Sequence, residues 1–182
     1  MKVAILSASH EVHSRSRTAA LAAARILGEL ELPVEIAFID LDQIGVDAYP
    51  GPEEHPERDA AVALFEGSDA VIVTSPVHNW GAAASTHAFL AHALDPDDGR
   101  RFRPAVILGG AGSSRSLLAL DGLVRTLQTE QDFILIGKSL IFSGDDVDKI
   151  DGTLSDGASR RLKSALTVFA KVAAALSEDI RS

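Results

Sequence analysis

Leu6 to Leu21 reads Leu-Ser-Ala-Ser-His-Glu-Val-His-Ser-Arg-Ser-Arg-Thr-Ala-Ala-Leu and follows directly on the apolar run Val3-Ala4-Ile5. A short N-terminal strand that empties into small and hydroxyl residues, and then into an alanine-rich helix, is how an α/β protein builds an anion site. The first N–H groups of a helix have no partner within it and carry partial positive charge, so a phosphate can settle there. Ser9, Ser14, Ser16 and Thr18 add hydroxyl donors, and Arg15 and Arg17 add charge. A second reading makes Ser14 only the N-cap of that helix. The rest of the chain has to decide between the two.

Outward from this stretch, the first strand spans Lys2 to Ser7 and the first helix runs from about Arg15 to Leu30, with Leu21, Ala24, Ile26, Leu27 and Leu30 at helical spacing. Pro33 opens a second strand, Val34 to Ile39, and Asp40 to Pro56 is too punctuated by Gly and Pro for regular structure. Glu57 to Phe65 predicts a short helix closed by Gly67. Ala70-Val71-Ile72-Val73 is a continuous apolar run, as a parallel strand covered on both faces requires, and it stops at Thr74-Ser75-Pro76. The loop Val77 to Gly81 follows, then an alanine-rich helix from Ala83 to Leu94. Asp95 to Arg103 reads as a polar turn before the fourth strand, Ala105 to Leu108. That strand ends in the glycine-rich Gly109 to Ser114, which leads into a helix from Leu117 to Leu127. The fifth strand is Phe133 to Ile136, resuming through Ser139 to Phe142. Gly144 to Gly157 is an acidic loop, and Ser159 to Leu176 predicts the final helix.

Five strands alternating with five helices predict an α/β fold, a doubly wound parallel sheet with helices on both faces. In the order 2-1-3-4-5, the loops after strands one, three and four lie side by side. They are the three loops that composition singles out: hydroxyl-rich, Pro-Val-His-Asn-Trp, and glycine-rich. The 182 residues fit one domain, 1–182. A net charge of −9 and scattered Lys and Arg argue against nucleic acid as a partner. The chain has no cysteine, so disulfides and thiol chemistry are excluded. No window is apolar for the roughly 18 residues of a membrane span, and a cytoplasmic protein is expected.

The first loop lacks Gly-x-Gly-x-x-Gly, and Gly-x-x-x-x-Gly-Lys-Ser/Thr occurs nowhere, so neither a dinucleotide fingerprint nor an NTPase loop is present. A phosphate on a hydroxyl-rich loop before the first helix suggests a mononucleotide, as in flavodoxin-like proteins. On this reading Ser9, Ser14, Arg15 and Ser16 meet the phosphate. Pro76, Val77, His78, Asn79 and Trp80 and, opposite them, Gly110, Ala111, Gly112 and Ser113 flank a planar ring. The histidines His10, His13, His78, His87 and His92 show no ligand spacing, and no metal is expected. The acidic run around Asp145 to Asp151 breaks the alternation of a calcium loop at Ile150. Trp80 suits a subunit interface or a site rim, and Arg115 suits an exposed helix start.

Three segments, Ala8 to Ser16, Ser68 to His78, and Gly112 to Asp121, resemble the NADPH-dependent FMN reductases. The resemblance runs from residue 2 to about 142 and points nearest to the reductases of alkanesulfonate monooxygenase systems. It implies a flavodoxin-like fold, FMN with NADPH or NADH as cofactors, and hydride transfer from the nicotinamide to flavin N5. The flavin carries that chemistry, so the catalytic residues stay unassigned.

The chain departs from the family pattern at named places. Glu11 stands where the family has an arginine facing the phosphate, His78 replaces a tyrosine, and Ala83-Ala84-Ser85-Thr86-His87 replaces the stretch used in tetramer packing. In the sulfonate-linked reductases a tyrosine bulges the fourth helix and is tied to FMN release; Gly122 stands near that place. The readings left open are an FMN reductase that supplies reduced flavin to a monooxygenase, an FMN-prosthetic reductase of quinones or similar acceptors, and a catalytically weak flavin carrier or partner subunit. A homodimer or homotetramer is expected.

Overall fold

Val3, Ala4, Ile5 and Leu6 are fully buried, as a central strand with helices on both faces requires. In this computed structural model, which describes residues 1–11, 13–44, 55–94, 102–113, 115–148 and 150–179, that strand is β1, Lys2–Ser7. It pairs in parallel with β2, Glu35–Asp40, on one side and with β3, Ala70–His78, on the other. β5, Pro104–Gly110, continues the sheet beyond β3, followed by β6, Ile134–Leu135, and β7, Leu140–Phe142, which pair with opposite ends of β5. The order β2-β1-β3-β5-β6 is the expected 2-1-3-4-5, with the fifth strand interrupted where Gly137 takes φ +74°.

Alternation along each strand sorts the core into two layers. Val3, Ile5, Ile72, Val106 and Leu108 pack with α1, Arg15–Gly28, and α5, Asp156–Asp179. Ala4, Leu6, Val71, Val73 and Ile107 pack on the other face with α2, Pro56–Glu66, α3, Ala84–Ala93, and α4, Asp121–Gln131. The alanines of α1 explain its close seat: Ala19, Ala20 and Ala23 have no exposure, so the helix lies directly on the sheet. Phe65 and Phe89 anchor the second layer edge to face, with ring centroids 5.6 Å apart.

Several boundaries differ from the sequence reading. The first helix ends at Gly28 rather than Leu30, and Leu21, at 51% exposure, faces solvent. Apolar spacing alone counted Leu21 into a face that the alanines fill. β3 does not stop at Thr74: it runs through Pro76 and Val77 to His78. There it turns back antiparallel onto β4, Gly81–Ala82, so the expected loop is a hairpin. Thr74 and Ser75 are tolerated in the strand because their hydroxyls find partners, Leu6 O at 2.9 Å and Thr86 Oγ1 at 2.7 Å.

Ser116–Leu118 forms a 3-10 turn, which delays α4 to Asp121. The acidic segment holds a 3-10 turn, Gly144–Asp146, and a small hairpin of β8, Val147–Asp148, and β9, Thr153–Leu154. α5 starts earlier than expected, at Asp156. Most of the expected Asp40–Pro56 loop (45–54) and Asp95–Arg103 turn (95–101), with Ser114, lies outside the described residues. Among the described residues no helix is long and apolar enough to cross a membrane.

Phe65 has no solvent exposure and joins α2, α3 and the Phe133 side of the sheet. Phe65→Ala is expected to lower unfolding stability by about 3–5 kcal/mol in urea titrations. A loss below about 1 kcal/mol would contradict this packing.

Candidate functional site

The carboxyl ends of β1, β3 and β5 deliver three chain segments to one place, and each is held there by identifiable bonds. In the first, Ser14 caps α1 in an extended conformation and its Oγ accepts the Arg17 N–H at 3.1 Å. Ser9 Oγ accepts the Glu11 N–H at 3.2 Å, and Glu11 O accepts the Ser14 N–H at 3.1 Å, closing the loop over itself. The N–H groups of Arg15 and Ser16 then head the helix, where no preceding turn supplies acceptors. Ser14 Oγ and Ser16 Oγ lie 3.3 Å apart, both buried. The two readings of Ser14 are therefore compatible: as a cap it uses a lone pair, which leaves its O–H proton to be directed at Ser16 Oγ or at a ligand.

The second segment is the β3–β4 hairpin. Asn79 and Trp80 form its two-residue tip at φ 49° and 63°, the left-handed pair that right-twisted strands favour in such turns. The Ala83 N–H anchors the hairpin base by donating to Ser75 Oγ at 3.0 Å and Pro76 O at 3.1 Å. Ser85 Oγ donates to Ala8 O at 2.9 Å, tying the start of α3 to the first loop.

The third segment is the glycine-rich end of β5. A Cβ on Gly110 would lie 3.0 Å from Arg15 Cβ and would collide with the backbone N of Ser16. Only glycine allows β5 to approach the first turn of α1 so closely. Gly109 differs: its Cβ would fall 2.6 Å from Ile141 Cδ1, the end of a side chain that can shift, rather than against backbone.

A cavity of about 200 Å³ opens between these segments, lined by Glu11, Ser14, Arg15, Ser16, Pro76, Val77, His78, Gly110, Ala111 and Gly112. A larger, more open cavity of about 1190 Å³ adjoins it, sharing Glu11, Pro76 and His78 and adding Ser9, His10, Ser85, His87 and a floor of alanines. Most residues expected from sequence thus converge on the small cavity, with Ser9 on the larger one. Asn79, Trp80 and Ser113 line neither: Trp80 is 74% exposed at the hairpin tip, and Ser113 Oγ accepts the Arg115 N–H at 3.2 Å. Sequence reasoning left Ser85 and His87 out of the site, since only the fold brings α3 beside the first loop.

The two arginines of the first turn have different fates. Arg17 turns away from the cavity and pairs with Asp40 at 2.5 Å and Asp42 at 3.3 Å, so it joins α1 to the end of β2 and adds no charge to the cavity. Arg15 lines the cavity, reaches toward the Gly144 turn, and has a buried Nε without a hydrogen-bond partner. Buried guanidinium N–H groups normally find acceptors, so this Nε is a charged donor still open to one, an anionic ligand included. No group of three or more His, Cys, Asp or Glu among the described residues is arranged to hold a metal.

A parallel sheet in this order, with a cavity at the strand ends beside the first helix, has the flavodoxin-like fold. A sequence model of the NADPH-dependent FMN reductases matches residues 1–146, and the chain belongs to that family. It is an NAD(P)H:FMN oxidoreductase, with FMN and a nicotinamide nucleotide as cofactors. No curated protein matches the sequence. Among solved structures, the apo form of the NADH:FMN oxidoreductase EMOB is similar at TM-score 0.74 and 21% identity, over 92% of this chain and 87% of that one. RosB with a bound 8-demethyl-8-formylriboflavin-5'-phosphate is similar at TM-score 0.78 and 11% identity, over 98% and 81%. An archaeal flavodoxin is similar at TM-score 0.64 and 12% identity, over 95% and 99%. At these identities the likeness is one of fold.

Three substitutions separate the roles of these residues. Gly110→Ala is expected to destabilise by about 1–3 kcal/mol through overpacking against α1. Gly112→Ala, whose Cβ meets nothing within 4 Å, should change stability by less than about 0.5 kcal/mol. Arg17→Ala leaves Asp40, 8% exposed, without its partner and should cost about 3 kcal/mol in chemical denaturation. Equal stability of the two glycine variants, or a neutral Arg17→Ala, would contradict these assignments.

Proposed function

We propose that the small cavity receives the 5'-phosphate end of FMN, and that the chain reduces FMN with NAD(P)H and releases it for use elsewhere. The supporting observation is the convergence on one cavity of hydroxyls, helix-start N–H groups, an arginine with an orphaned Nε and a glycine backbone. Ser14 and Ser16 donate hydroxyl protons, Arg15 supplies the charge, and the Ser16 N–H completes the cradle. Pro76 to His78 forms one wall for the flavin ring, and Gly110 to Gly112 forms the other. These glycines let main-chain groups approach the ring. Bound FMN supplies the hydride-accepting centre, so this chain's residues bind and orient, and no acid or base is demanded of them.

The proposed partner is a flavin-dependent monooxygenase in the cytoplasm, which takes reduced FMN from this chain. We further assign a homodimer or homotetramer of the single domain 1–182, supported by the alanine floor that α3 presents to the larger, open cavity. A second reading keeps FMN bound as a prosthetic group for small acceptors. It is supported by α4, which runs as a regular helix from Asp121 to Gln131 with Gly122 in its first turn.

Purification separates the two. Colourless protein that oxidises NAD(P)H only with added FMN supports release; yellow protein without turnover of free FMN supports retention. Protein that neither binds FMN nor consumes NAD(P)H contradicts both. For the cradle itself, replacing Ser14 and Arg15 together by alanine should weaken FMN by roughly 1.5–3 kcal/mol per lost charged hydrogen bond while sparing riboflavin. Equal weakening of the two flavins would remove the phosphate from this place.

A further inference from the structure

Glu11 faces the same small cavity as Ser14, Arg15 and Ser16, and it faces the larger cavity as well. Among the described residues neither Glu11 nor Arg15 makes an ion pair, although they line one space. Arg17 cannot offset the acid, because Asp40 and Asp42 already hold its guanidinium. The Glu11 main chain is tied into its loop, its N–H bound by Ser9 Oγ at 3.2 Å and its carbonyl accepting the Ser14 N–H at 3.1 Å. A dianion seated on the start of α1 therefore meets one charged donor and one like charge.

We infer that Glu11 is a specificity-determining residue that loosens the hold on the flavin 5'-phosphate. FMN then exchanges as a diffusible substrate, and discrimination against unphosphorylated flavin is narrowed. This rests on the reading that the cradle takes the FMN phosphate. Glu11 is exposed, so water screens its repulsion, and the effect on the dissociation constant is of the order of tenfold rather than thousandfold. His10 does not cancel it: its Nδ1 lies 4.0 Å from Asp42, and its side chain is 60% exposed. Other acids near this region line neither cavity: Asp40 and Asp42 are engaged by Arg17, and in the turn toward which Arg15 reaches Asp146 is engaged by Ser143 and Arg161, beside Asp145.

The test titrates FMN and riboflavin, followed by quenching of flavin fluorescence, into the full chain and its Glu11→Gln and Arg15→Ala variants. Glu11→Gln should bind FMN about tenfold more tightly and riboflavin within twofold of the unsubstituted protein. The gain should shrink between ~0.1 M salt, where the Debye length is about 10 Å, and ~1 M, where it is about 3 Å. A Glu11→Gln variant that leaves FMN unchanged, or that shifts FMN and riboflavin alike, overturns the inference. Arg15→Ala separates the two failures. If it weakens FMN selectively while Glu11→Gln does nothing, only the role of Glu11 falls. If Arg15→Ala also fails to distinguish FMN from riboflavin, the phosphate cradle falls with it. Unchanged thermal transitions confirm that the variants are folded.

Discussion

The close approach of Gly110 to the first turn of α1 is the constraint on which the site depends. It sets the end of β5 against the N–H groups of Arg15 and Ser16, and a single methyl group would force the two apart. Because β5 is locked to β3 from Val71 to Pro76, the same approach fixes the position of the β3–β4 hairpin relative to the helix. Three segments distant in sequence thereby share one cavity. The rest of the packing serves this arrangement: alanines seat α1 flat on the sheet, and Arg17 fastens its first turn to β2 through Asp40.

Charge placement in that first turn then shapes the chemistry. Two arginines two residues apart point in different directions along the helix, and one of them is spent on structure. What faces the cavity is a single guanidinium and a single carboxylate, set among hydroxyls and backbone donors. Such a site can recognise a phosphate without gripping it hard. On the proposed reading, in which reduced flavin leaves the chain, a moderate hold suits turnover.

Much of the fold was legible in the sequence, for physical reasons. Ala70-Val71-Ile72-Val73, short, rich in β-branched residues and stopped by Thr-Ser-Pro, reads as a strand covered on both faces, and the alternation of such runs with helices leaves few topologies. Ser14, Arg15 and Gly110 stood out by residue type and position in the chain. Other features lay beyond reach. The burial of Thr74 and Ser75 in β3 depends on partners from β1 and α3, which local sequence does not reveal. The separation of Arg17 from Arg15 depends on where β2 ends and presents Asp40 and Asp42. Trp80 read as part of the ring-flanking loop and, by type, as an interface or rim residue; that it sits at the exposed tip of a hairpin, outside both cavities, depends on the turn back onto β4.

The most direct test of the account is a crystal structure of this protein with FMN. The phosphate should lie against Ser14, Arg15 and the N–H of Ser16, with the flavin ring between Pro76–His78 and Gly110–Gly112. A flavin whose phosphate rests anywhere else, in the larger cavity beside His87 for example, would contradict it.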